Sequence, residues 1–323
     1  MVTVHDVART AGVSIATVSR ALSNPSMVAT ATRERVESAA AALGYVPNLQ
    51  AAALRAGRTG AIGLLVPDLA NPYFAAIAQG VAETAREQGL GVFVVDSQED
   101  PEAEPGLLRR LARQTDGVIL ASPRAVEADR AVAGTTPVVV VNQTGPRAVA
   151  ADFASGVHQA VAHLVALGHR QIAYVGGPAA SWGDAQRRTA LAAEVRDRGA
   201  DGLEVLLLGV FAPTVDGGES AVDAVAASSA TAVVTYNDVV AVGLVRALRA
   251  RGVRVPDDLS VVSFDDTYLA GLVTPALTSV RTDLRALGRF AARQLVEPTD
   301  AAEPLTLHPM HLEVRDSTAT PRA

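Results

Sequence analysis

The rhythm of apolar positions changes near residue 60. Before it, apolar residues recur at helical spacing: Val4, Val7, Ala8 and Ala11 fall at i, i+3, i+4 and i+7, one stripe of a short helix. Gly12 then permits a sharp turn that a residue with a Cβ resists. Ser14 is placed to cap a second helix, on which Val18, Ala21 and Leu22 face the first while Ile15, Ala16, Ser19 and Arg20 point away. Val36, Ala39, Ala40 and Leu43 mark a third helix, ended by Gly44. Two helices joined by a tight turn within residues 4 to 22 have the form of a helix-turn-helix, whose second helix reads base edges. An ordinary helical hairpin is the bland alternative.

After Pro47 comes a stretch, 48 to 56, rich in Ala and Leu. It is helical in propensity but too short to stand alone, since isolated helices below about 12 residues are marginal in water. An inert linker competes with a conditional helix there. From Gly60 onward short apolar runs alternate with amphipathic helices, an α/β pattern. The predicted strands are 61–66, 91–95, 117–120, 137–141, 172–175, 203–208, 231–235 and 259–264. Most are unbroken Val, Ile and Leu, as in parallel strands buried on both faces. The predicted helices are 73–88, 104–114, 155–167, 185–198, 217–227, 238–251 and 283–296. So many strands exceed one small sheet, so the reading is two doubly wound subdomains with a ligand cleft between them.

Charge sharpens this division. The 323-residue chain is acidic, with 28 basic against 34 acidic residues, which alone argues against nucleic acid. Residues 1–60, however, carry six Arg (Arg9, Arg20, Arg33, Arg35, Arg55, Arg58) against Asp6, Glu34 and Glu37, a balance of +3, so the remainder holds −9 of the net −6. A basic head on an acidic body suits a modular DNA binder, because the head neutralises phosphates and the body does not. Every basic residue is Arg; without Lys there is no P-loop or Schiff-base lysine. Without Cys there is no disulfide, thiolate metal site or Cys nucleophile. No signal-type apolar segment opens the chain and no apolar run approaches about 18 residues, so the expected location is the cytoplasm, with no membrane partner.

These residues together resemble the lactose-repressor (LacI/GalR) family of bacterial transcription regulators. The resemblance rests on Asp6-Val7-Ala8 with Ala11-Gly12-Val13-Ser14, Thr17-Val18-Ser19-Arg20, Thr32-Arg33, and the run from Leu43 to Asn48. It continues at Gly63 to Pro67, Asn71-Pro72-Tyr73-Phe74, His163-Leu164 with Leu167-Gly168-His169, Tyr236-Asn237-Asp238, and Ser260 to Asp265. It implies an all-α headpiece over 1–46, a hinge helix and linker over 47–58, and an effector-binding and dimerisation core over 59–323. That core would be periplasmic-binding-protein-like, its chain crossing between subdomains near 143–150, 275–282 and 304–310.

The family's roles transfer residue by residue. In the reading helix Ile15, Ala16 and Arg20 stand where such proteins touch bases; Arg20 can pair bidentately with guanine, while Ile15 and Ala16 offer only apolar contacts. Thr3, Ser14, Thr17 and Asn24 match phosphate-holding positions, which fix register. Leu54 matches a leucine that wedges into the minor groove at the operator centre and bends the duplex; without the resemblance it would read as packing. Ala29 departs from the pattern, since many relatives have a capping Ser there, which leaves Thr30 to take over.

For the effector, Asn71, Phe74, Asn142, Arg187, Phe211, Asn237, Asp265 and Thr282 match the family's binding positions, with polar groups for sugar hydroxyls and Phe rings for ring faces. Each has a plainer reading: Asn71 and Asp265 as helix caps, Phe74 and Phe211 as core, and Arg187 as a solvated neighbour of Arg188. Around Arg187 the chain has Ala190 and Leu191 where relatives carry Gly and an aromatic, and Trp182 stands beside that helix.

Rival classes lack their chemistry. After Val66 the chain reads Pro-Asp-Leu-Ala-Asn-Pro, not the Gly-rich turn of a dinucleotide fold. His158, His163 and His169 are spaced off any shared helical face, Gly176-Gly177 is a packing turn, and neither metal nor cofactor is expected. A periplasmic solute-binding protein fits the core but not the headpiece. The expectation is a regulator, not an enzyme: a repressor whose affinity for a near-palindromic double-stranded operator is set by a small effector, a sugar or related polyol or nucleoside. Without Leu heptads at the end of the chain, it should be a homodimer.

Overall fold

The computed structural model describes residues 2–23, 27–45, 58–125, 133–145, 147–297 and 305–322. Asn24, Leu54 and nearly all of the expected hinge helix lie outside these residues. The chain divides into two compact units, Met1–Gly60 and Ala61–Ala323.

In the first unit three helices, α1 (Val4–Ala11), α2 (Ile15–Ser23) and α3 (Thr30–Leu43), enclose Val7, Val18, Ala21 and Val36, all buried. Gly12 ends α1 with φ +64°, a left-handed conformation that a side chain would strain. Ser14 Oγ accepts the Thr17 backbone N–H at 3.1 Å and so caps α2. On α2 Ala16 and Arg20 are exposed, whereas Ile15 is half-buried against the three-helix core. The sequence placed Ile15 wholly outside; its position in the first turn of α2 lets the side chain fold under the bundle. Ala29 holds the cap position of α3 with no side-chain cap, and Thr30 is already the first helical residue. Thr30 therefore does not substitute for the missing Ser.

The second unit contains two six-stranded sheets among the described residues. The first runs β11-β5-β4-β3-β1-β2, all parallel, from β1 (Ala61–Val66), β2 (Gly91–Asp96), β3 (Val118–Ala121), β4 (Val138–Val141), β5 (Ala148–Ala151) and β11 (Leu305–His308). The second runs β12-β10-β9-β8-β6-β7, from β6 (Gln171–Gly176), β7 (Glu204–Val210), β8 (Ala232–Thr235), β9 (Ser260–Asp265), β10 (Thr278–Arg281) and β12 (His311–Glu313). Only its β10–β12 pair is antiparallel; the other pairs are parallel. The central strands β1, β3, β8 and β9 are buried throughout, which is why they read as unbroken apolar runs.

The strands that sequence reading missed, β5, β10, β11 and β12, have three or four residues each. Such pieces are too short to show a period; their partners across the sheet, not their own pattern, make them strands. Because β5 and β10 extend the two sheets, the chain passes between them at Asp152, at Thr282-Asp283 and at Pro309-Met310. The first crossing thus falls just beyond the expected 143–150. The expected helix 217–227 is two, α8 (Val215–Ser220) and α9 (Val222–Ala226), and a further short helix, α11, spans Tyr268–Leu272.

Helices α4 (Pro72–Glu87) and α12 (Leu284–Val296) lie against the first sheet and cross at glycine. A Cβ on Gly80 would sit 2.1 Å from the Arg285 carbonyl oxygen, and one on Gly288 2.2 Å from that of Ile77. The segment after the second crossing is thereby locked to the first subdomain. The second sheet is covered by α6 (Phe153–Ala166) and α7 (Trp182–Arg198) on one face and α10 (Asp238–Ala250) on the other.

Candidate functional site

The carboxyl ends of both sheets line one cavity, the position that open α/β sheets give to ligands. About 380 Å³ of atom-free space lies there, part of it open solvent. The first subdomain contributes Asn71, Tyr73, Phe74, Ser122, Arg124 and Asn142; the second contributes Phe153, Ser181, Gly183, Arg187, Pro213, Tyr236, Asn237 and Asp265. Six of the eight expected effector residues are brought together here: Asn71, Phe74, Asn142, Arg187, Asn237 and Asp265. Phe211 and Thr282 are not in this lining. Phe211 is held by its backbone N–H to the Gly176 carbonyl and packs half-buried against the core between β6, β8 and α10. Thr282 donates its hydroxyl to the Pro309 carbonyl at 3.1 Å and lines a separate surface hollow with Asp266 and Tyr268.

Several side chains here carry two tasks. Asn71 Oδ1 accepts the Tyr73 N–H at 3.0 Å and Asn237 Oδ1 the Val240 N–H at 3.0 Å, so each caps the helix it precedes while lining the cavity. Asn142, at φ +54° just after β4, ties three elements. Its amide donates to Tyr73 Oη at 2.6 Å and to Ser122 Oγ at 3.1 Å, and its Oδ1 accepts the Ala151 N–H at 3.2 Å. Burial pushes the Tyr73 phenol well up, so it stays neutral.

Arg187 is the electrostatic centre. It projects from α7 into the cavity, 4 % exposed, with its guanidinium 4.5 Å from the Phe264 ring centre, 4.6 Å from Phe153 and 4.9 Å from Tyr236. Its nearest anion is Asp265, Nη2 to Oδ1 3.7 Å, too long for a hydrogen bond, and its Nε has no partner. Asp265, at φ +98° on the end of β9, is pushed up to about 8 by burial, with Arg187 pulling it back and Asp238 adding to the rise. Asp238 lies behind it, fully buried. It accepts the hydroxyls of Ser263, Ser279 and Thr267 and the Thr267 N–H, while burial still lifts its carboxyl to about 6. Arg187 is thus not solvated as the plain reading had it, and the neighbouring Arg188 is paired with Asp184, which also accepts the Tyr174 hydroxyl at 2.7 Å and the Gly177 N–H at 2.8 Å.

Arg124 went unrecognised in the sequence. It is buried, pairs through Nε and Nη2 with the two oxygens of Glu99, and donates from Nη1 to the Ser122 carbonyl at 2.9 Å. Glu104 accepts its backbone N–H and that of Ala125. The only signal was position, since residues 122–124 follow a predicted buried strand. Tyr236, which flanks Arg187 and follows the predicted strand 231–235, carried the same weak signal; Phe153 follows β5, a strand the sequence did not show, and carried none.

On the headpiece Thr3 donates to Asp6 Oδ2 from N–H and Oγ at 3.0 and 2.8 Å, and Ser14 Oγ lies 2.9 Å from Thr17 Oγ1. Ser14 and Thr3 are exposed, and Arg20 is exposed one turn before the end of α2. Each of the three histidines has its own partner: His158 with Glu194, His163 with Thr318, and His169 with Thr231, Ser260 and the Ala319 carbonyl. Among the described residues no helix is long and apolar enough to cross a membrane.

Comparison with known proteins agrees with this anatomy. Residues 3–48 match the family described as bacterial regulatory proteins, lacI family, and residues 161–318 match a periplasmic binding protein-like domain. The HTH-type transcriptional regulator DegA of Bacillus subtilis is 33 % identical over 98 % of both chains. Catabolite control protein A of Staphylococcus xylosus is 31 % identical over 98 % of this chain and 99 % of its own. Among solved structures, the lac repressor dimer bound to operator and the anti-inducer ONPF superposes with a TM-score of 0.87 at 30 % identity, covering 98 % of this chain and 99 % of that one. A complex of the transcriptional regulator CelR with cellobiose gives a TM-score of 0.69, also at 30 % identity, covering 98 % of this chain and all of that one.

Proposed function

The chain belongs to the LacI family of bacterial regulatory proteins and is a DNA-binding transcriptional regulator rather than an enzyme, and from that premise we propose a repressor switched by a small hydroxylated effector in the cleft. It works in the cytoplasm as a homodimer on a near-palindromic double-stranded operator, as the solved lac repressor is a dimer on its operator. Arg20 reads a guanine, with Ile15 and Ala16 making apolar contacts, while Thr3, Ser14, Thr17 and Asn24 hold phosphates. The exposure of Ala16 and Arg20 on one face of α2 supports this assignment.

Arg187 carries the effector reading: a guanidinium buried in the cleft, stacked among three rings, with an unpartnered Nε. An unmet donor in a cavity costs free energy until a ligand meets it. The ligand class is a sugar or a related polyol or nucleoside, because the cavity sets hydrogen-bonding groups (Asn142, Asn237, Asp265, Ser122) beside aromatic faces (Phe74, Phe153, Tyr236).

Effector bridging the two subdomains favours one of their relative orientations, and operator favours one too, so the two affinities are linked reciprocally by about 1–3 kcal/mol. The test is a thermal-shift screen of the full chain with sugars and nucleosides, followed by operator binding with each hit. Arg187→Ala should abolish the ligand's effect on operator affinity while leaving ligand-free DNA binding intact. A ligand response unchanged in that variant would remove the cleft from the mechanism.

A further inference from the structure

A second hollow borders the cleft. It opens where the chain makes its second crossing, at Thr282-Asp283, and about 590 Å³ of atom-free space lies there, part of it open solvent. The start of α4 divides its residues between the two: Asn71, Tyr73 and Phe74 line the cleft, while Pro72 and Ala76 line the hollow. Asp265 is the one described residue in both linings. It is 6 % exposed, and its carboxyl takes part in no hydrogen bond among the described residues, Arg187 standing 3.7 Å away. The partition between the two cavities thus carries unused acceptors.

Most charges around the hollow are already answered. Arg281 pairs with Glu313, Arg285 with Glu83 and Asp266 with Arg315, and Asp283 caps α12 by accepting the Ala286 N–H at 2.8 Å. What is left for a ligand is the Asp265 carboxyl, the Thr282 oxygen, which donates its proton to Pro309 and keeps its lone pairs, and Tyr268. Tyr268 opens α11 and is 68 % exposed, its ring and hydroxyl without a partner among the described residues. Pro72, Ala76 and Leu284 supply aliphatic surface. Free oxygens beside an open aromatic ring and aliphatic walls match a sugar ring, which carries hydroxyls around its edge and C–H groups on its faces.

We propose that the effector is a sugar of at least two glycosidically linked rings, one seated in the cleft and the next in this hollow, with the linkage passing the Asp265 carboxyl. The claim rests on the cleft being the effector site and narrows its ligand class to disaccharides or longer chains. The hollow draws on α4 of the first subdomain, on the turn after β9 in the second, and on the crossing between them. The second ring therefore touches both subdomains, as the first does, and adds to the preference for one of their orientations. Thr282, absent from the cleft lining, meets the ligand here.

Titration calorimetry on the full chain compares cellobiose, maltose, lactose and trehalose with D-glucose and D-galactose. At least one disaccharide is expected to bind about ten times more tightly than either of its component sugars, the gain from laying one more ring on an aromatic side chain. Tyr268→Ala should bring that ratio down to about one, and Tyr268→Phe, which keeps the ring, should preserve most of it. No binding by any disaccharide, no advantage over the component sugars, or an advantage that survives Tyr268→Ala overturns the proposal. Where a monosaccharide still shifts operator affinity in an Arg187-dependent way, only the second ring falls and the cleft stands as the effector site. Disaccharide binding unaffected by Arg187→Ala removes both readings.

Discussion

Replacing Arg187 separates what the cleft does for binding from what it does for folding. In Arg187→Met the charge and all five donors go, while a flexible apolar chain of similar length remains to lie among Phe153, Tyr236 and Phe264. On the folding side, removing the unpartnered buried Nε recovers about 1–3 kcal/mol, and losing three ring contacts costs about 0.5–1 kcal/mol each. The usual danger of breaking a buried ion pair is an orphaned partner charge. Here burial already lifts the Asp265 carboxyl, and losing Arg187, which pulls it back down, lifts it further toward the neutral form, so little charge is left behind. The two contributions nearly cancel, so the ligand-free variant should melt within about 4 °C of the parent, given about 2–4 °C per kcal/mol in a domain of this size. On the binding side, truncating a buried charged hydrogen-bond partner costs about 2–5 kcal/mol, a loss in effector affinity of about 30-fold to several thousandfold. Thermal denaturation and calorimetry on the same preparations read both numbers. A fall in melting temperature beyond about 10 °C would refute the reasoning, because Arg187 would then be holding the two subdomains rather than awaiting a ligand.

Four other perturbations probe the rest of the molecule. Operator affinity should fall by three orders of magnitude or more between about 50 and 200 mM salt, as expected for roughly 6–10 neutralised phosphates, and a fragment lacking residues 1–58 should not retain DNA at low salt in a gel-shift assay. Gly80→Ala places a Cβ 2.1 Å from the Arg285 carbonyl and should lower the melting temperature by several degrees despite alanine's helix preference; Gly106→Ala, in open space on its helix, should not. Burial holds His169 below its ordinary value of 6.5, so folded protein binds fewer protons than unfolded protein; stability against urea should be complete above about pH 6.5 and decline as pH falls below it, less so in His169→Gln. Leu54→Ala should lose DNA bending and central-step preference while keeping guanine readout by Arg20, measured by gel mobility with the operator at varied positions on the fragment.

What the sequence disclosed was whatever depends on local pattern. The helix-turn-helix was legible because its stripe, its turn at Gly12 and its cap at Ser14 lie within about ten residues of one another. The central strands were legible because both faces are buried. The cleft's position followed from the strand ends, and Asn71 satisfied both competing readings, since a residue at a helix start can cap and face a cavity together, as Asn237 also does. What escaped was settled by distant partners. Arg124 is buried in the lining because Glu99 and Glu104, more than eighteen residues earlier, meet it. Phe211 turns to the core because its N–H continues the hydrogen bonding of β6, and Thr282 faces Pro309 because the chain crosses between sheets just there.

Backbone conformation explains why these cleft residues act as a group. Ser122, Asn142, Asp265 and Asp266 all have positive φ, between 48° and 98°, and each stands at the carboxyl end of a strand where the chain must turn sharply around the cavity. Such conformations cost about 1–3 kcal/mol per residue and persist only where the surroundings over-determine them. The restraint is visible at each: Asn142 is held by Tyr73, Ser122 and Ala151, Ser122 by Asn142 and Arg124, and Asp266 by Arg315 at 2.7 Å and by the Ser279 hydroxyl at 3.1 Å. Asp265 is the exception. The charged side chain nearest it, Arg187, stands beyond hydrogen-bond distance, so its carboxyl is the least restrained of the four strand-end side chains. A ligand that engages Arg187 and Asp265 would supply the restraint the other three already have, and would do so from the second subdomain toward Asn142 and Ser122 of the first. Effector binding would then order one corner of the cleft and tie the two sheets in a single step, which is how a few hydrogen bonds can bias the orientation of whole subdomains.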